Sequence, residues 1–93
     1  MSSSDVFAVR KNGTGAISFT GPARLRQLEV FSSSSGSPRI TLTDGDGGAT
    51  LLDLDFTTSD THSVNIPADG IRFTNSIFVS VFTDLQAATM FLS

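Results

Sequence analysis

Four aspartates set around three glycines in "ITLTDGDGGATLLDLDF", residues 40–56, are the residues whose types and spacing come nearest to chemistry in this chain. Carboxylates alternating with glycine can wrap a calcium ion. An EF-hand loop takes oxygen ligands at positions one, three, five and twelve and a glycine at six. Counting from Asp44, Asp46 falls at position three. Gly48 then stands at five, Ala49 at six, and Asp55 rather than a bidentate Glu at twelve. The flanks alternate like strands. The same residues suit a turn, in which Gly45, Gly47 and Gly48 supply positive φ and Asp44 and Asp46 bond to local backbone. A β-hairpin is therefore expected here, with no metal.

His62 is the one histidine, in "SDTHSV". Catalytic or metal-binding histidines work with convergent partners. Asp60 and Ser63 are close in sequence, but neighbours along a strand do not converge as a triad does. There is no G-x-G-x-x-G and no P-loop. These residues predict no catalytic centre, no cofactor and no enzyme.

A different signal comes from phenylalanine. Tyr and Trp are absent, and all aromatic area comes from eight Phe. In "SIFVSVF", strict alternation puts Ile77, Val79 and Val81 on a core face and Phe78 and Phe82 on the opposite one. Large apolar groups on the outer face of a small sandwich point to a partner. Charge is also unevenly spread. Residues 1–39 hold five of the six basic groups, while residues 40–93 hold Arg72 against seven Asp. A dipolar chain of this kind can dock its basic half, around Arg24 and Arg26, on an acidic neighbour such as a second copy. Phe78, Phe82, Arg24 and Arg26 are the expected partner-facing residues.

Short apolar alternations separated by turn signals must position these groups. "DVFAV" is followed by "KNGTG", whose Asn12-Gly13 signals a hairpin. "AISFT" ends at Gly21-Pro22. "RITLTD" puts Ile40 and Leu42 on one face and Thr41 and Thr43 on the other. "TLLDLDF" points Leu52, Leu54 and Phe56 inward with Asp53 and Asp55 outward, and "SVNIP" points Val64 and Ile66 inward. "PADG" turns into "GIRF". Two stretches carry helical features: "PARLRQLEVF" (residues 22–31), with Leu25, Leu28 and Phe31 at helical spacing, and "DLQAATMFL", with Asp84 as an N-cap. A closed β core leaves little room for a helix, so both are expected as strands, with "TDLQA" turning into "ATMFL". "SSSSGSP", residues 32–38, is expected as a flexible loop. The sum is an all-β fold: a single antiparallel β-sandwich or jelly-roll-like domain of about eight short strands over residues 1–93, with 1–20 as an N-terminal arm or hairpin.

Composition narrows the function classes. With 39% hydrophobic and 16% charged residues the chain is globular rather than disordered. Cys is absent, which excludes disulfides and thiolate–metal sites. A net charge of −3 argues against nucleic-acid binding. No apolar run reaches membrane-spanning length, and "MSSSDVFAVRK" does not read as a secretory leader.

The second half also resembles a type of small bacteriophage structural protein common in marine phages. In that type a "GxxRL" strand, a "DGG" hairpin before "TLL-L", an "IP-xG-I-F" turn and a final pair of hydrophobic strands follow one another. The matching residues are Gly21, Arg24 and Leu25; Asp46, Gly47 and Gly48; Ile66, Pro67, Gly70, Ile71 and Phe73; and Ile77, Val79 and Val81. The likeness spans about residues 21–92. It departs at the end, where an aromatic strand such as "VTVFY" is replaced by "ATMFLS". The resemblance implies a β-rich virion component made in the host cytoplasm and present in many copies. It would pack against itself as a homo-oligomer and against other virion proteins such as the major capsid protein. Within the particle, a capsid decoration (cement) subunit and a tail-associated protein both fit. A carbohydrate- or receptor-binding β-sandwich module is the alternative, although the Trp or Tyr on which sugars usually stack is missing.

Overall fold

The computed structural model describes residues 6–17, 21–66 and 70–93. Nine strands and no helix lie among the described residues: β1 Phe7–Lys11, β2 Gly15–Ala16, β3 Ala23–Ser32, β4 Arg39–Asp44, β5 Thr50–Asp55, β6 Thr61–Asn65, β7 Ile71–Phe73, β8 Ile77–Thr83 and β9 Leu85–Leu92. The chain runs as one long hairpin closed at the "DGDGGA" turn. β4 pairs with β5, β3 with β6 and β7, β2 with β8, and β1 with β9, all antiparallel. That hairpin is rolled up, so that β3 also lies beside β9 and β4 beside β8. Two sheets result, in the orders β1-β9-β3-β6, with β7 continuing the β6 side of β3, and β2-β8-β4-β5. With β6 and β7 taken as one interrupted strand, this is the eight-stranded jelly-roll sandwich.

The core lies between the sheets. Leu25, Leu28 and Val30 on β3 and Met90 and Leu92 on β9 meet Ile40 and Leu42 on β4 and Ile77 and Val79 on β8, all at most 1% exposed. Phe73 from β7 is the largest fully buried side chain among the described residues. Each such side chain contributes about 1.5–3 kcal/mol of burial free energy. Leu52, Leu54, Phe56, Val64 and Ile66 pack half-buried against this core, as alternation predicts. Asp53 and Asp55 are exposed.

Bulges adjust that alternation. In β3, Leu25 faces Leu92 and Gln27 faces Phe91, so Arg26 is an extra residue on the β9 side. One extra residue shifts the side-chain phase. Leu25 and Leu28, three apart, are therefore both buried on a strand, and the helical spacing of "RLRQL" is the trace of a bulge. In β8, Thr41 faces Val81 and Leu42 faces Val79, which leaves Ser80 extra, its Oγ donating to the Thr41 carbonyl at 3.3 Å. Two further irregularities sit at Leu51 on β5 and Gln86 on β9.

Three connections differ from the sequence expectation. Asn12-Gly13 does not close a hairpin. β1 and β2 belong to different sheets, and the turn carries the chain across the sandwich edge. β1 and β2 are thus the edge strands of the two sheets rather than a free arm. Second, β9 begins at Leu85, so the turn after β8 is shorter than "TDLQA". Asp84 adopts φ 53° and makes the corner. Third, Asp84 holds the serine loop on two sides. Its carbonyl accepts from Ser33 N at 2.9 Å and its Oδ2 from Ser37 N at 2.8 Å. The turn expected at Pro67–Asp69 and the end of "AISFT" lie outside the described residues.

Candidate functional site

The aspartates of the opening stretch do not converge. Asp44 ends β4 and reaches sideways to the segment before β8. Its Oδ2 accepts from Thr74 Oγ1 at 2.6 Å and its Oδ1 from Asn75 N at 2.8 Å. These bonds, the Thr74 hydroxyl first, hold its pKa below the ordinary carboxylate value. Asp44 also anchors the hairpin, its N–H donating to Ala49 O at 2.9 Å, while Gly45 and Gly47 take φ 83° and 78°. A side chain at Gly48 would collide with the Asp44 carbonyl. The predicted β4–β5 hairpin is present, with Asp46 exposed at its tip.

Asp53 faces outward on the edge strand β5, diagonal to Arg39 on β4. Arg39 Nε and Nη2 donate to its two oxygens at 3.0 and 2.8 Å, and Thr41 Oγ1 donates to Oδ1 at 2.9 Å. The Arg39 hydrogen bonds, then that of Thr41, lower the Asp53 pKa, and the same pairing raises that of Arg39. Asp55 stands 4.0 Å from Arg39. Among the described residues no three His, Cys, Asp or Glu side chains group closely enough to hold a metal ion.

His62 belongs to the rim of the core. It pairs with Val30 across the sheet, stacks on Phe56 at 5.0 Å between ring centroids, and places Nε2 at 3.1 Å from the Thr57 carbonyl. Ser63 follows it on the opposite face of β6, and the Asp60 carboxylate accepts from Thr61 N at 2.8 Å. The three side chains do not form a relay.

The four residues expected at a partner surface are not on one surface. Phe78 points outward from the β2-β8-β4-β5 sheet, half-buried beside Thr43 and Ala16. Phe82 does not. The Ser80 bulge turns it inward, opposite Ile40, where it packs on the core, and sends Val81 to the outer face opposite Thr41. Arg24 and Arg26 lie on β3 in the other sheet. Arg26 Nε donates to Ser93 Oγ at 2.7 Å, and Arg24 stands directly across from Arg72 on β7. Like charges opposite one another on a sheet are unfavourable, and this Arg24–Arg72 pair arises from the β3–β7 register, which no local pattern reveals.

Open depressions lie among the described residues. One, of about 540 Å³, lies at the loop end between Pro38, Asp55, Phe56 and Thr57. Another, of about 190 Å³, lies on the outer face of the β1-β9-β3-β6 sheet, between Arg10, Glu29, Phe31, Thr61, Ala87 and Thr89. Phe31 is 44% exposed there. What these features offer, among the described residues, is broad sheet faces and a few exposed rings. No family model matches the chain, and neither a curated protein nor a solved structure matches it.

Proposed function

We propose that the protein is a non-enzymatic structural subunit of a bacteriophage particle, most simply a decoration or cement subunit that stabilises the shell by packing between neighbours. The observation that carries this reading is how the polar groups are used. The side chains best placed for chemistry are engaged in the fold itself: Asp44 in the turn before β8, Asp53 in the Arg39–Thr41 cluster, Asp84 in the loop corner, His62 against Phe56 and Thr57. The sheet faces, with Phe31 and Phe78, are what is left to act. The resemblance over residues 21–92 supports the same reading. So does the jelly roll, an architecture shared by viral capsid proteins and lectins, although fold alone never assigns function. Between those two, a chain with neither Trp nor Tyr favours packing over sugar stacking.

The test is add-back. Purified protein should co-sediment with particles lacking it, saturate at a fixed number of copies, and raise the temperature at which the shell opens. Failure to bind any head or tail structure overturns the reading. Binding to tails alone assigns the tail-associated alternative.

A further inference from the structure

We infer that the outer face of the β1-β9-β3-β6 sheet is a self-complementary surface that packs against the same face of a second copy about a two-fold axis along β9. Strand register lays this face out in rows. One row is Ala8–Phe91–Gln27–Asn65, the next is Arg10–Thr89–Glu29–Ser63, and the third is Ala87–Phe31–Thr61. Arg10 and Glu29 are the only charged groups in these rows, and they stand on either side of Thr89, one strand away in each direction. Adjacent strands are about 4.8 Å apart, so the two charges lie roughly 10 Å from each other at the backbone. No ion pair joins them within the chain.

That spacing is what an isologous contact needs. A two-fold axis running along β9 exchanges the β1 side with the β3 side, so each Arg10 meets the partner's Glu29 and each Glu29 the partner's Arg10. The central column between them, Ala87, Thr89 and Phe91, then faces its own counterpart. Ala87 and Thr89 are small enough to let the sheets approach to the usual ~10 Å of face-to-face packing. Exposed Phe31 closes the contact beside Ala87, at the depression of about 190 Å³. A parallel shift by one strand forfeits both opposite-charge pairs, and a shift by two sets like charges against each other, so the charges also set the register.

This inference deepens the proposed packing role but is read on the isolated protein. Sedimentation should show a concentration-dependent dimer. Arg10→Glu and Glu29→Arg should each remain folded by circular dichroism and raise the dimer dissociation constant roughly tenfold or more. Mixing the two variants should restore association, because every contact in the mixed dimer is again opposite in sign. As a second readout, Thr89→Cys introduces the only thiol of a cysteine-free chain, on the axis. A short dimaleimide should join two such chains, and should not join two Thr50→Cys chains, whose thiol lies on the other sheet. A monomeric wild type, single variants that dimerise normally, or a mixture that stays monomeric overturns the inference. A monomer that still occupies particles overturns this inference alone, and an intact dimer that binds no particle overturns the proposed function alone.

Discussion

Asp53 shows how single residues here serve the fold. Its carboxylate and that of Asp44 both have folded pKa values lowered by hydrogen bonds. A lowered folded pKa contributes stability that is present above the unfolded value, near 3.9, and is lost as pH falls through the folded one. Unfolding midpoints should therefore hold steady above about pH 5 and drop in acid. Asp53→Asn should lose part of that acid dependence, and added salt should shrink it further, because the Arg39–Asp53 pair is half exposed. An acid limb unchanged by Asp53→Asn contradicts the pairing. Ser32 is the opposite case. The residue is 1% exposed, and its buried Oγ has no hydrogen-bond partner. Burying an unpaired hydroxyl is unfavourable, so Ser32→Ala should be neutral or stabilise by up to ~1 kcal/mol in urea titrations. A clear loss of stability would show that the hydroxyl is bonded.

The elements explain what could and could not be read in the sequence. Period-2 alternation found the strands, and "DGDGG" found the β4–β5 hairpin, since both signals are local. Bulges are not local. One inserted residue at Ser80 exchanges the faces of Val81 and Phe82, and nothing in "SIFVSVF" distinguishes it from a regular strand. Asn12-Gly13 marks a turn truly but cannot say whether the strands it joins pair with each other. The Arg10–Thr89–Glu29 row needs three strands from distant parts of the chain, so alternation could place each residue outward but not side by side. Phe82→Ala should thus cost roughly 1–3 kcal/mol of folding stability, as a core truncation does, while Phe78→Ser should cost less. Deleting Ser80 should destabilise more than either, because it removes the bulge that turns Phe82 inward. If Phe78→Ser proves the most damaging, the assigned phase of β8 is wrong. At the hairpin, melts in calcium and in chelator should agree to within about a degree, since a ligand that does not bind cannot shift stability. A calcium-dependent rise abolished by Asp46→Ala contradicts the turn.

For the whole molecule, the rolled hairpin places two extended sheet faces on opposite sides of a thin sandwich, 21 Å along its shortest axis. One face carries the Arg10–Glu29 row and Phe31; the other carries Phe78, Val81 and the Arg39–Asp53 cluster. In the proposed packing role, a subunit with two such faces would bridge a copy of itself on one side and a shell protein on the other. That division predicts separable variants. Phe78→Ser should weaken particle binding while leaving the dimer intact, and Arg10→Glu should do the reverse. The most direct measurement is a cryo-EM reconstruction of purified particles. The result expected is jelly-roll density repeated over the particle surface, with sheet faces against neighbouring subunits and none of the loop clusters holding a ligand. Particles complete and stable without this protein, with the chain recovered only from the soluble lysate, contradict it.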